Sequence, residues 1–158
     1  MSTLTISIEK AIKAYRNADK LGKQLLSDLF DKEIFNRKIT DRVKNFLDAC
    51  EITGADPYDN KYVNGDEDAI AYEKLKVIVS ALNEGWKPNW NDDYQRKWYP
   101  WFYMNKPGFR FYDSTFDFTY TYVGSRLCFK SEELSTYAAK QFLDIYKDYF
   151  TISTDNNE

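Results

Sequence analysis

Aromatic side chains are the residues of this sequence whose type and spacing most clearly favour binding chemistry. The chain has 158 residues with 13 Tyr, 11 Phe and 4 Trp, and residues 86–122 hold 15 of these 28 rings, including every Trp. Residues 86–94, Trp-Lys-Pro-Asn-Trp-Asn-Asp-Asp-Tyr, set rings among amides and carboxylates, which is typical of platforms that stack on sugars, bases or proline-rich peptides. With the strand that follows they give the candidate binding residues Trp86, Trp90, Tyr94, Tyr99, Trp101 and Tyr103. Such rings more commonly anchor a loop against a sheet, and that alternative stays open.

Catalytic chemistry finds no support in the sequence. The chain contains no His, which removes the usual general base and the Ser–His and Cys–His nucleophile pairs. Acid pairs such as Asp113 with Asp117, or Glu132 with Glu133, occur in any acidic protein and do not by themselves define a cleft. The chain has only six Gly and no glycine-rich phosphate motif, so the sequence predicts no nucleotide-binding loop. We therefore predict a protein that is not an enzyme, with no catalytic residues and no cofactor.

The acidic loop over residues 56–68 invites a calcium interpretation, which its spacing does not support. An EF-hand loop needs acidic residues at alternating positions, a central Gly and a terminal bidentate Glu. Here Asn60 stands five positions before Gly65, and Ala71 occupies the position of the Glu. A solvated turn followed by a helix cap explains these residues, so we predict no metal site.

The charge balance argues against duplex nucleic acid and polybasic membrane binding. The net charge is −3 and the isoelectric point is about 5.1. Binding to duplex phosphates usually needs a clustered excess of Lys and Arg. A single-stranded nucleic acid could still use the basic residues near the rings, namely Arg96, Lys97, Lys106, Arg110, Arg126 and Lys130. Nearby carboxylates reduce the positive charge that these residues would offer to phosphates, namely those of Asp92, Asp93, Asp113 and Asp117.

Cysteine usage and hydropathy predict a cytoplasmic protein. Cys50 and Cys128 each lie in an apolar pattern, which favours two buried reduced thiols over a disulfide framework. The first residues show no basic segment followed by an apolar one, and no stretch approaches the roughly 18 apolar residues of a membrane span.

Helical periodicity dominates residues 1–54 and returns in residues 66–85. Ser7, Asp19 and Thr40 are predicted to begin three helices, and Gly54 follows the third. After the turn-rich loop 54–66, a fourth helix starts at Asp66 or Asp68 and ends at Gly85. Its predicted buried face is Ala71, Leu75, Ile78, Val79 and Leu82.

Period-two patterning replaces helical spacing after Trp86. Residues 97–104 and 109–112 predict strands around a turn at 105–108, and residues 116–122 alternate rings with Asp and Thr. A further strand is predicted over 126–130, and Pro100 makes the first strand an edge or a bulged strand. Ser131 then caps a C-terminal helix that runs to about Tyr149.

These elements predict an α+β fold with a helical N-terminal half. A three- to four-stranded antiparallel, aromatic-rich sheet follows, with the C-terminal helix packed on it. The predicted organisation is a helical segment at 1–54, an α+β core at 55–150 and a flexible polar tail at 151–158.

Three segments of the sequence resemble a known family. They are residues 81–90 (ALNEGWKPNW), residues 99–102 (YPWF) and residues 123–131 (VGSRLCFKS). The chain is similar over about 60–150 to small proteins from Bacteroides-type gut bacteria, their phages and their mobile elements. The resemblance implies a phage or mobile-element setting and carries no activity or site residue.

Both faces of the predicted first strand are large and aromatic, and this leads to the functional hypothesis. Tyr99, Trp101 and Tyr103 alternate with Trp98 and Phe102. If helices cover only one face, the other is an exposed apolar patch, which marks an interaction site. We expect a non-enzymatic accessory protein that binds a partner protein or self-associates. The alternative is stacking on single-stranded nucleic acid or a glycan.

Overall fold

A computed structural model describes residues 5–152, which form two compact units that divide between Arg42 and Val43. The chain order is α1 (Ile8–Asn17), α2 (Lys20–Leu29), α3 (Lys32–Phe35), α4 (Ile39–Arg42), α5 (Phe46–Thr53), a 3₁₀ turn (Asn60–Tyr62), α6 (Glu67–Asn83), β1 (Lys97–Tyr103), β2 (Arg110–Asp117), α7 (Glu132–Gln141) and α8 (Leu143–Phe150). The α+β class is as predicted. Most of the predicted tail, from residue 153 onward, lies outside the described residues. No helix within residues 5–152 is long and apolar enough to cross a membrane.

The first unit is helical, and side-chain caps define where its helices begin. The Ser7 hydroxyl accepts the Lys10 amide at 3.3 Å, and the Asp19 carboxylate accepts the Gly22 amide at 2.8 Å, as the sequence predicted. A bidentate ion pair between Glu9 and Arg42 joins the first helix to the last of this unit. The spacing of Leu21, Leu25, Leu29 and Phe30 predicts an apolar stripe after Asp19, but the three leucines are exposed and only Phe30 is partly buried.

The predicted helix beginning at Thr40 is wrong in its boundaries, because two short helices replace it. α4 ends at Arg42, and α5 begins after Asn45. The Asn45 side chain accepts the Asp48 amide at 3.0 Å while the Asp48 carboxylate accepts the Asn45 amide at 3.1 Å. This reciprocal capping box starts a new helix where a continuous one was expected. Gly54 ends it in the left-handed region, at φ 77°.

α6 is the centre of the second unit. Its predicted inward residues (Ala71, Leu75, Ile78, Val79 and Leu82) are all buried. α5, the 3₁₀ turn, α7 and α8 pack against it. Glu67 and Asp68 lie in its first turn, where they complement the positive end of the helix dipole.

The sheet has two strands, so the prediction of three or four is not borne out within the described residues. β1 and β2 pair antiparallel through the turn at 105–108. Beyond Asp117, which pairs with the first residue of β1, the predicted strand gives way to a loop in which the Thr121 hydroxyl accepts the amides of Val123 and Gly124 at 3.2 and 2.7 Å. These local bonds take amides that a strand would give to a neighbour.

The predicted strand over 126–130 is reduced to a single β-bridge. Trp98 and Phe129 exchange both backbone hydrogen bonds, at 3.0 and 2.7 Å. Two residues further along β1, Pro100 has no N–H with which to extend the ladder. On its other side the segment is held by the buried Asn83 amide, whose Nδ2 donates to the Cys128 carbonyl at 2.9 Å and whose Oδ1 accepts the Lys130 amide at 3.0 Å.

The C-terminal helix begins at its predicted cap, Ser131, but bends at Phe142. The Phe142 amide still donates to the Ala138 carbonyl at 3.0 Å, and its carbonyl accepts the Tyr146 amide at 3.1 Å. Its backbone, at φ −117° and ψ 33°, turns the chain between α7 and α8. The bend lets α7 pack on both strands while α8 packs on α6.

Candidate functional site

The two faces of the hairpin have different neighbours. The inner face turns towards α7 and α8: the Ser114 hydroxyl contacts the hydroxyls of Ser135 and Thr136 at 2.9 and 3.0 Å, and the Phe102 ring lies 5.0 Å from that of Tyr146. The outer face carries the alternate side chains of β1. Those side chains are Lys97, Tyr99, Trp101 and Tyr103.

Two loops cover the first half of the outer face. The Trp90 indole N–H donates to the Ser125 hydroxyl at 2.7 Å, which joins the loop before β1 to the loop after β2. The Lys97 ammonium lies between them and donates to the carbonyls of Asp92 and Phe118 at 3.1 and 2.6 Å. Its Nζ is also 5.2 Å from the centre of the Trp90 ring. Lys97 is only 1% exposed, so its three N–H donors meet two carbonyls and a ring face instead of water.

Tyr99 is also covered and belongs to the structure of this half. Its hydroxyl donates to the Asp117 carboxylate at 2.5 Å, and its ring is 6.2 Å from that of Tyr122. Burial, together with the hydrogen bond to Asp117, raises the pKa of the Tyr99 hydroxyl above its ordinary value. The side chain is 4% exposed and offers no surface to a ligand.

The second half of the outer face is open. Trp101, Tyr103 and Tyr112 are 50%, 38% and 54% exposed, and we call these three rings with Asp113 the open patch. The rings of Tyr103 and Tyr112 are 4.6 Å apart in an edge arrangement. Trp101 has no stacked or edge-on aromatic neighbour among the described residues, and its indole lies beside the Tyr99 hydroxyl. Clustered rings exposed to this degree form the kind of contiguous apolar surface that marks interaction sites in soluble proteins.

A bulge in β2 builds this patch. Trp101 pairs with Asp113 and Phe102 with Phe111, so Tyr112 is an additional residue with no partner on β1. A bulge of this kind brings two consecutive side chains towards the same face. Tyr112 and Asp113, which are both exposed, therefore stand beside Trp101 and Tyr103.

Arg110 lies beside the patch, but its guanidinium is hydrogen-bonded to the turn. Its guanidinium stacks 4.1 Å from the centre of the Tyr103 ring. The same group donates through Nη1 to the carbonyls of Gly108 and Asn105, at 3.0 and 3.3 Å. Arg110 therefore orients Tyr103 and closes the turn, and it does not project towards a ligand.

The predicted site residues are thus distributed over different environments. Trp101 and Tyr103 come together in the open patch, whereas Tyr99 and Trp90 stabilise the covered half. Trp86 is half-buried, and Tyr94 is exposed in the loop before β1 without a ring contact to the patch. Sequence reasoning missed Tyr112 and Asp113 as members of the site, because nothing in their spacing signals the bulge.

The loop that carries Trp86, Trp90 and Tyr94 uses its polar side chains internally. The Asp92 carboxylate accepts the amides of Tyr94 and Gln95 at 2.9 and 3.1 Å, and the Asn89 amide donates to the Gln95 side chain at 2.6 Å. These bonds are typical of Asx turns. The Asp92 carboxylate and the Asn89 side chain, which accepts the Asn91 amide at 3.1 Å, are therefore engaged in holding the loop.

Groups with catalytic potential are buried or dispersed. Cys50 and Cys128 are buried and free, as predicted, and burial raises the pKa of the Cys128 thiol to about 11. Within residues 5–152, no three His, Cys, Asp or Glu side chains lie close enough to share a metal ion. The chemistry that the open patch offers is contact by ring faces and one carboxylate.

The sequence matches no protein-family model, and no curated protein and no solved structure shows significant similarity to the chain.

Proposed function

We propose that this protein is a non-enzymatic interaction module that binds a partner protein through the open patch. The observation that supports this most directly is the division of one strand face. Two loops cover Lys97 and Tyr99, while Trp101, Tyr103 and Tyr112 remain in water on the same hairpin. The fold covers one half of this face and leaves the other half exposed, as expected for an interaction surface.

The size of the patch fits the centre of an interface. An aromatic side chain presents about 150–250 Å², so three rings that are roughly half exposed offer on the order of 300 Å². This is within the range of the largest patches on soluble monomers, which are often functional. It is less than the ~800 Å² that one partner buries in a standard interface, so surrounding polar residues must complete the contact. Tyr and Trp are common where binding energy concentrates.

Substitution of Trp101 tests this proposal. We expect Trp101→Ala to lower partner capture from lysates of Bacteroides-type bacteria by roughly tenfold or more, as for a residue at the centre of an interface. Trp101 is half exposed, so the far-ultraviolet circular dichroism of the variant should match that of the unmodified protein.

Tyr58→Ala is the matched control for the capture experiment. Tyr58 is 83% exposed and lies in the loop between α5 and α6, outside the hairpin sequence. Equal capture by the Trp101 variant and the unmodified protein would contradict the proposal. Concentration-dependent sedimentation that disappears in Trp101→Ala would identify the partner as a second copy of this chain.

Stacking on a single-stranded nucleic acid or a glycan is the second candidate, and the unstacked Trp101 ring favours it. Base stacking on aromatic residues contributes about 1–3 kcal/mol per base. However, the cation beside the patch, Arg110, is hydrogen-bonded to the turn, and Asp113 would face phosphates. We expect a phosphate ligand to quench Trp fluorescence in a salt-dependent way and a sugar to quench it independently of salt. Absence of quenching by an oligothymidylate and by oligosaccharides would remove this candidate.

We further propose a phage or mobile-element setting in the bacterial cytoplasm. The resemblance of residues 60–150 to proteins of Bacteroides-type bacteria and their phages supports the setting. The two buried thiols, which form no disulfide, are consistent with a reducing compartment. Detection of the protein in the soluble fraction of infected or element-bearing cells would test this.

A further inference from the structure

We infer that the open patch receives a cationic side chain of the partner, arginine or lysine, with the charge placed between Trp101 and the Asp113 carboxylate. This inference rests on the proposed function and specifies the chemistry of the partner.

The first observation is the position of Asp113. Its Cα pairs directly with that of Trp101 across the hairpin, and its side chain is exposed. One carboxylate oxygen accepts the Ser114 amide at 2.8 Å. The other oxygen has no protein donor among the described residues, and no Lys or Arg of residues 5–152 pairs with this carboxylate. The patch therefore combines ring surface with an unneutralised negative charge.

This arrangement restricts what can cover Trp101. A partner that buries the Trp101 ring also removes water from the carboxylate directly opposite. A carboxylate that loses water without gaining a donor or a cation is strongly disfavoured. A purely apolar partner surface is thus a poor occupant, and an anionic one is worse. A cationic side chain satisfies the carboxylate and the ring faces together.

The rings themselves favour a cation. The face of an aromatic ring carries partial negative charge, and Trp attracts a cation more strongly than Tyr or Phe. The protein already shows this contact, because the Arg110 guanidinium lies 4.1 Å from the centre of the Tyr103 ring. Trp101 has no such intramolecular cation among the described residues, so its ring is available to one from outside.

The charge of the second unit supports the same conclusion. Residues 43–152 contain 17 Asp and Glu against 13 Lys and Arg. An acidic surface attracts basic partners and repels acidic ones during encounter. Arg110 keeps its positive charge beside Tyr103, where the turn carbonyls hold its guanidinium, and it forms no ion pair with Asp113.

The inference is tested by titrating the protein with two small probes that differ in charge alone. N-acetylarginine amide carries a guanidinium, and N-acetylcitrulline amide is its neutral counterpart of nearly equal shape. Binding is followed through the ¹⁵N–¹H signals of the four Trp indoles, with Trp101→Phe assigning the signal of interest. We expect the arginine probe to shift the Trp101 indole signal about fivefold more than the citrulline probe, in the millimolar range.

Asp113→Asn and Asp93→Asn form a matched pair of variants. Each removes one negative charge, but only the first alters the patch, and its new amide side chain retains an oxygen that can accept the Ser114 amide. We expect Asp113→Asn to reduce the arginine response towards the citrulline level, because only the attraction of the ring remains, and Asp93→Asn to leave it unchanged. Equal shifts from both probes, or equal responses of the two variants, would overturn the inference.

The two proposals fail in distinguishable ways. If Trp101→Ala loses the captured partner while arginine and citrulline act alike, the interaction function stands and the cation inference is overturned. If Trp101→Ala retains the partner, the proposed function is overturned, and with it the role of any cation at this patch. The probe titration on the unmodified protein gives its answer even if a variant fails to fold.

Discussion

At the scale of single residues, two buried tyrosines show how differently one hydroxyl group can contribute. The Tyr99 hydroxyl donates to the Asp117 carboxylate. The Tyr146 hydroxyl is buried and has no hydrogen-bond partner among the described residues. A buried polar group without a partner destabilises the fold by its lost hydration, whereas a bond to a charged acceptor is stabilising.

Replacing each tyrosine by phenylalanine should separate these contributions. We expect Tyr146→Phe to leave the free energy of unfolding unchanged or to raise it by about 1 kcal/mol, because it removes the unsatisfied hydroxyl. We expect Tyr99→Phe to lower it by about 1.5–3 kcal/mol, because the bond to Asp117 is lost. Urea unfolding followed by Trp fluorescence measures both. The same loss in both variants would contradict the assignment of the two hydroxyls.

At the scale of elements, a single lysine joins two loops to the hairpin. The Lys97 ammonium donates to the carbonyls of Asp92 and Phe118, one in each loop, while the Trp90–Ser125 bond joins the loops directly. Burial of the charge opposes these contacts, so the net effect on global stability is small. The main consequence of Lys97 is therefore the position of the loops, and with it the boundary between the covered and open halves of the outer face.

Lys97→Met retains the apolar stem and removes the charge. We expect a change of less than about 1 kcal/mol in the free energy of unfolding, since lost hydrogen bonds and relieved burial of charge oppose each other. We also expect amide exchange at Tyr94, Gln95 and Gly124 to rise roughly tenfold as the loops open locally. Lys87→Met, an exposed lysine of the same loop, should leave the exchange unchanged. Unaltered loop protection in Lys97→Met would refute this role.

Elements whose local apolar spacing favours one structure were predictable from the sequence. Elements whose extent depends on contacts with distant residues were not. The buried face of α6 followed from spacing alone because a long amphipathic helix has one way to bury its apolar stripe. The alternation at 116–122 predicted a strand, but β1 begins at Lys97, which pairs with Asp117, so β1 offers no partner to the residues that follow. The helix from Ser131 was correctly begun, yet the sequence has no proline or glycine to announce the bend at Phe142.

The candidate site was predictable to the same partial extent. Alternation placed Trp101 and Tyr103 on one face of β1. Which half of that face stays open depends on loops that meet through Trp90, Lys97 and Ser125, residues separated by up to 35 positions. Contacts of that kind leave no local pattern in the sequence.

At the scale of the whole molecule, the burial of two thiols and two tyrosine hydroxyls makes stability depend on pH in the alkaline range. Burial raises the pKa of the Cys128 thiol from 9.0 to about 11, and also raises the pKa values of Cys50, Tyr99 and Tyr146. The folded protein therefore holds these protons more tightly than the unfolded chain does. Their contribution to stability is complete below the unfolded pKa and is lost as the pH rises through the folded one.

We accordingly expect the urea concentration at the midpoint of unfolding to decrease as the pH rises from about 9 to about 11. Over this interval the Cys128 thiol loses its proton first in the unfolded chain and then in the folded one. Cys128→Ala should show a shallower decline over this interval than the unmodified protein, because one of the linked protons is gone. Groups exposed in both proteins cancel from the comparison. Parallel declines in the two proteins would show that Cys128 is not linked to unfolding in this range.

The additional residue in β2 has a consequence for how this chain can vary. Phe111 and Phe116 are five positions apart, so a regular strand would direct them to opposite sides, yet they pair with Phe102 and Trp98, which share one side. The bulge at Tyr112 absorbs this extra position. Deletion of Tyr112 would leave four positions between the two phenylalanines, as in a regular strand, so both rings would stay on the inner face and every other pair of the hairpin would keep its partner. The hairpin can therefore lose this residue without reversing its faces, and the loss would fall on the open patch alone.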